Sequence, residues 1–248
     1  MNKERPILFS GPMVRAILEG RKTQTRRIAI PKRSCVDFIG GGPKDGPDWN
    51  DPTCWGFEDP NTGFWWALRG NDECYQLPCP HGMVGDRLWV RETWAQPAAL
   101  DPGPTVYRAD YPACVPKEFE NVPDAAAIRW KPSIHMPRAM SRITLEIAGV
   151  RVERLQAISE ADAAAEGVES PETERDNHDW SICPRCGGTR LYDAIGPNLG
   201  VMPDTDCFEC DTHIKRFRYL WDSIHSAAGH GWDANPFLWV VEFKHIEA

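Results

Sequence analysis

The chain has 248 residues, 42% of them hydrophobic and 26% charged, and a net charge of −8. That length can bury a real core, and the composition is that of an ordinary soluble globular protein. No apolar run is long enough for a membrane-spanning helix, and no apolar stretch follows Met1 to Arg5, so neither a membrane protein nor a secreted one is expected.

Pro6 to Phe9 reads as a short strand. Ser10-Gly11-Pro12 then starts a helix with a capping side chain and an early proline. Met13, Val14, Ile17 and Leu18 form its apolar stripe, and Gly20 stops it. Thr23 to Ile30 is a strand. Residues 33–81 are rich in Gly, Pro, Asp and Trp without a sustained period, and read as an ordered insertion with a small hairpin around Gly63 to Leu68. Gly85-Asp86 is a turn before the strand Arg87 to Thr93. Residues 95–127 are proline-dense and loop-like. Arg142 to Arg154 is strand-like, with Ile143, Leu145 and Ile147 on one face. Ser159-x-x-Asp162 is a capping pattern opening a short helix, Glu160 to Glu166, closed by Gly167. A second helix runs from Thr212 to about Ser226, with Ile214, Phe217, Trp221 and Ile224 on one face. Asn235-Pro236 starts a last strand through Ile246, apolar on both sides and therefore central. The expected class is α+β, with a mostly antiparallel sheet that can close on itself.

Charge is spread unevenly over these elements. Residues 1–33 carry +7 and residues 129–154 carry +4, while 34–128 carry −9 and 155–212 carry −10. Two basic segments in an acidic protein make an anion-attracting cleft if the fold joins them, and solvated faces if it does not.

Nine cysteines include Cys183-x-x-Cys186 and Cys207-x-x-Cys210, twenty residues apart. In a reducing compartment such turns are metal ligands and not disulfides. Each turn points two thiolates at one spot, and two turns complete a tetrahedral sulfur cage for a structural zinc, leaving no open position for catalysis. His213 is an alternative ligand. Cys54, Cys74, Cys79 and His81 are a weaker second group, more simply read as scattered loop residues.

The stretch Ala16-Ile17-Leu18-Glu19-Gly20-Arg21-Lys22-Thr23-Gln24-Thr25-Arg26-Arg27 resembles the start of the ASCH superfamily. Further matches follow in order: Gly85 to Val90, Ile158-Ser159-Glu160 leading to Ala165-Glu166-Gly167, and Pro236 to Ile246. The resemblance covers less than half of the chain. It implies a PUA-like β-barrel with flanking helices, one domain over residues 1–248, and insertions at 33–81, 95–127 and 170–212, the last holding the zinc ribbon. It also implies a site. The Lys, Thr and Glu of the family's hydrolytic members fall on Lys22, Thr25 and Glu166, with Thr23 as the wrong-register alternative.

That set suits amide hydrolysis. A threonine hydroxyl needs a base to take its proton, and a lysine serves when burial or neighbouring cations disfavour its charge. Arg21, Arg26 and Arg27 can supply that field. A carboxyl at a helix end, Glu166, can protonate a leaving amine. Arg21, Arg27, Trp89 and Arg91 are candidate substrate contacts, with Glu92 and Trp94 beside them. His135, Arg138 and Arg142 are a candidate phosphate group. The expected activity is removal of the acyl group from an N(4)-acylated cytidine or cytosine in the cytoplasm, with no catalytic cofactor. The rivals are an RNA or modified-base reader and a ribonuclease.

Overall fold

Alternation along the strands decides which side chains turn inward: Ile143, Leu145 and Ile147 are all buried, as are Leu88, Val90, Leu238 and Val240. The computed structural model describes residues 3–29, 36–38, 65–69, 74–100, 103–168, 183–187, 189–196 and 200–246. In chain order the elements are β1 (Glu4–Leu8), α1 (Gly11–Leu18), β2 (Gln24–Ile28), β3 (Val36–Phe38), β4 (Trp65–Arg69), β5 (Cys74–Leu77), β6 (Arg87–Arg91), β7 (Trp94–Ala95), β8 (Val106–Tyr107), β9 (Thr144–Arg154), α2 (Glu160–Ala165), β10 (Leu191–Gly196), β11 (Gly200–Asp206), α3 (His213–His225) and β12 (Phe237–Ile246). The class is α+β, as expected.

The chain divides into two compact units, the first made of Met1–Thr23, Pro80–Gly149 and Glu242–Ala248, the second of Gln24–Cys79 and Val150–Val241. In the first, strands neighbour one another in the order β1-β6-β9-β12. β1 runs parallel to β6, from Glu4 opposite Arg87 to Leu8 opposite Arg91, and β6 runs antiparallel to β9. The Gly85-Asp86 turn is tied down by the Asp86 carboxylate, which accepts from the Lys3 and Met83 backbones and pairs with Arg5. α1 starts as the sequence suggests, with Pro12 in its first turn. The Ser10 side chain makes no capping hydrogen bond, however; its carbonyl accepts from Val14 instead. Gly20 takes a left-handed φ of 74° where the helix stops, a conformation glycine adopts without penalty. The stretch 95–127 is less loop-like than its prolines imply. β7 and β8 pair, and Ala95, Leu100, Val106, Val115 and Ile128 form a small core of their own, against which Tyr111, Phe119 and Trp130 pack.

In the second unit the order is β9-β12-β2, which makes β12 central, as its apolar faces suggest. β3, β4 and β5 form a three-stranded antiparallel sheet in which Trp65–Arg69 is one continuous strand and not the hairpin expected around Gly63 to Leu68. Gly63 itself and most of 33–81 lie outside the described residues. α2 packs on α3, and β10 pairs with β11 in a separate ribbon. The expected closed barrel is corrected here. Among the described residues the strands form open sheets, and β1 and β2 each end a run of strands with one neighbour only.

Candidate functional site

In the first unit, the turn after α1 carries Lys22. Its backbone N–H donates to the Ala16 carbonyl at 2.9 Å, which fixes the turn. Its side chain is 2% exposed, with Nζ 5.6 Å from the centroid of the Phe9 ring. Arg21 beside it points outward and pairs with Glu19.

In the second unit, β2 begins at Gln24. Strand alternation puts Gln24 and Arg26 on one face and Thr25 and Arg27 on the other. The Gln24 amide donates to the carbonyl and carboxylate of Asp162, at 2.7 and 3.0 Å. Arg26, 2% exposed, gathers three acids: Glu153 of β9 at 3.1 Å, Glu166 at 3.2 Å and Asp162 at 3.6 Å. Its guanidinium also lies over the Phe217 ring of α3. Arg151 braces the same acids, donating to Asp162 at 2.9 Å and pairing with Glu153. A guanidinium this deeply buried is tolerable only with such carboxylate partners.

Glu166 caps the C-terminus of α2, its N–H donating to the Asp162 carbonyl, and Gly167 turns the chain away with φ 86°. It is 4% exposed. Burial pushes the Asp162 carboxyl up, but hydrogen bonds from Ser159 and Gln24 and the charges of Arg26 and Arg151 outweigh this and hold it below the usual carboxylate range. Burial pulls the Arg27 guanidinium down, partly offset by the charge of Glu166.

Thr25 is different. It is 1% exposed, and its hydroxyl has no hydrogen-bond partner among the described residues. A buried hydroxyl without a partner is costly and uncommon. Of the anticipated trio, Lys22, Thr25 and Glu166 are all buried, but the hydrogen-bonded partner of Glu166 is Arg26, not Thr25. The sequence does not mark Arg26, Glu153 and Arg151 as a group, and it shows Asp162 only as part of a capping pattern. The available signal was the alternation of Gln24-Thr25-Arg26-Arg27, which puts one arginine of the pair on a buried face.

The other candidates belong to the first unit. Trp89 is buried and Arg91 stacks on it at 4.8 Å, so the two expected substrate contacts satisfy each other in part. Arg142 is committed to two carboxylates, gripping Glu92 with two 3.0 Å bonds and Asp110 with bonds of 2.7 and 2.9 Å, over the Tyr107 ring. Burial pushes the Glu92 carboxyl up against the pull of Arg142. Arg138 pairs with Glu4, and His135 is exposed. Both arginines of the anticipated phosphate group are thus engaged by carboxylates.

The cysteines form a second constellation. Cys183 and Cys186 form one turn, Cys207 and Cys210 the other, and the β10–β11 ribbon lies between them. All four are buried, and their sulfurs lie within 4.8 Å of one another. Cys183 and Cys207 are 3.8 Å apart and Cys186 and Cys210 3.6 Å. Tetrahedral coordination with metal–sulfur bonds of about 2.3 Å requires sulfurs about 3.8 Å apart, so the cage fits a metal ion such as zinc. Burial pushes the Cys207 and Cys210 thiols up, and each nearby sulfur opposes another's charge; a bound cation reverses that balance. Gly187 at φ 59° lets the first turn close. His213 is not part of the cage: it starts α3 and faces Glu160. Among the described residues no second such cluster occurs; Cys54 and the side chain of Cys74 lie outside them. No described helix is long and apolar enough to cross a membrane.

Comparison with models of known protein families, with curated proteins and with solved structures finds no match in any of the three.

Proposed function

We propose that this chain is an ASCH-type amidohydrolase with a PUA-like fold, removing the acyl group from the exocyclic nitrogen of an N(4)-acylated cytosine nucleoside or base. The observation that carries the reading is the Thr25 hydroxyl, buried and unpartnered three residues after the buried Lys22. In this mechanism Thr25 Oγ1 attacks the acyl carbonyl carbon while the Lys22 amine takes its proton. The carbon–nitrogen bond then breaks, the proton passes to the departing cytosine amine, and an acyl ester remains on Thr25. Water cleaves that ester, releasing a carboxylic acid and restoring the hydroxyl. Glu166, held by Arg26, relays the proton or orients the amine. Arg21, Arg27, Trp89 and Arg91 are the proposed substrate contacts, and the substrate is a small cytoplasmic molecule. The four-cysteine cage holds zinc as a staple for residues 183–210, outside the chemistry.

A second reading, a non-enzymatic reader of RNA or modified bases, draws on one observation: β2 turns Arg26, and with it the Glu166 contact, to the face opposite Thr25. Incubating the purified protein with N(4)-acetylcytidine and with single-stranded RNA separates these readings. Release of cytidine and acetate is the expected result. Binding without turnover sinks the hydrolase reading in favour of the reader, and strand cleavage points to a ribonuclease.

A further inference from the structure

The β10–β11 ribbon exposes apolar side chains that no described element covers. Ile195 is 85% exposed, Val201 62% and Met202 39%. Ile195 lies directly opposite Val201, so the pair shares one face of the ribbon and forms a small apolar knob. Asp193, two residues before Ile195 where the ladder is irregular, is exposed, and Asp204 and Asp206 are exposed further along β11. The knob is therefore rimmed by negative charge. Apolar surface displayed in this way marks an interaction site more often than a random exposed residue does.

The first unit carries the complementary shape. A cavity of about 450 Å³ is walled by Ala95, Pro97, Ala98, Pro123 and Ile128, with Arg129 at its rim. Arg129 is exposed and makes no ion pair or hydrogen bond among the described residues. The walls are mostly apolar, with Gln96 and Arg129 as their polar members, and the volume admits two aliphatic side chains. An acid-rimmed apolar knob and a cation-rimmed apolar hollow on the same chain match in shape, polarity and sign of charge.

We infer that the Ile195/Val201 knob of one copy docks into the Ala95–Ile128 hollow of a second copy, with Asp193 facing Arg129. Nucleic acid does not suit this surface, because the ribbon's acids repel phosphate. A symmetric ribbon-to-ribbon contact does not suit it either, because Asp193, Asp204 and Asp206 would face their own duplicates. The contact is head-to-tail, so a dimer keeps one free knob, on one copy, and one free hollow, on the other. The buried area is small, so the dissociation constant falls at roughly 10–100 μM and rises with salt.

Sedimentation velocity of the zinc-loaded full chain from ~2 to ~300 μM at low ionic strength tests this. Mass rising with concentration, and falling back in ~0.5 M salt, is expected. The variants Ile195→Asp/Val201→Asp and Arg129→Glu should each be monomeric over the whole range, with circular dichroism and zinc content unchanged. Mixing the two variants should restore a dimer and nothing larger, because one supplies the hollow and the other the knob. A wild type that stays monomeric throughout overturns the proposal. So does association that survives either variant, or a mixture that stays monomeric.

Discussion

Thr25 and Arg26 are neighbours with opposite needs. The Thr25 hydroxyl has nothing to bond to among the described residues, whereas Arg26 has three carboxylates around it. An unpaired buried hydroxyl costs about 1–3 kcal/mol, so Thr25→Val, which keeps the shape, should raise stability by about 1 kcal/mol in urea unfolding and abolish deacylation. A loss of stability on that substitution would show that the hydroxyl has a partner in solution and is not held ready for chemistry. Arg26 behaves in the opposite way. Arg26→Met removes the buried cation from among Glu153, Asp162 and Glu166 and should cost about 3–5 kcal/mol. Adding Glu166→Gln should return part of that loss. If the double variant is no more stable than the single one, the Arg26–Glu166 pair is not where the energy resides.

The element with the sharpest dependence on a ligand is the cysteine ribbon. Burial favours the neutral thiols of Cys207 and Cys210 when no cation is present, and four thiolates can sit this close only around one, so a metal should hold these two turns. One zinc per chain is expected by elemental analysis. The Cys183→Ser/Cys207→Ser double variant should lose it, and chelation should speed amide exchange in 183–210 before the rest of the chain responds. Full zinc retention in that variant would falsify the assignment of the ligands. The neighbouring helix, α3, turns Phe217, Leu220 and Trp221 inward as the 3.6-residue period implies, yet Ile224 from the same sequence stripe stays exposed. Arg216 is buried instead, donating to the Cys210 carbonyl, so the helix face is set partly by the knuckle it follows.

At the scale of the whole molecule, acid should weaken the fold in two windows. His225 stacks on Trp221, and burial, with the charges of Arg27 and His230, lowers its pKa from 6.5. Its unfolded form therefore binds a proton first, and stability falls as pH drops below about 6.5. Asp162 is also lowered, but from 3.8, so its contribution is complete above that value and is lost as pH falls below it. Urea midpoints should drop between about pH 7 and pH 5, and His225→Gln should flatten that first decline while leaving the second. An undiminished decline in the variant assigns it to other groups. The sequence alone determined the α+β class, the central place of β12, the stop at Gly20, the capped α2 and the four-sulfur cage. These follow from local rules: periodicity, φ preferences, capping, and ligand spacing along one short stretch of chain. It also singled out Lys22, Thr25 and Glu166, which share deep burial. Only the tertiary structure decided that Glu166 bonds to Arg26, that Glu92 and Asp110 share Arg142, that residues 95–128 have their own core, and that the described strands stay open and form no barrel. The reason is physical. Pairings between residues 26 and 166, or 92 and 142, depend on which strands become neighbours, and edge closure depends on which strands find no neighbour. Neither is written in the spacing of side chains along a single element.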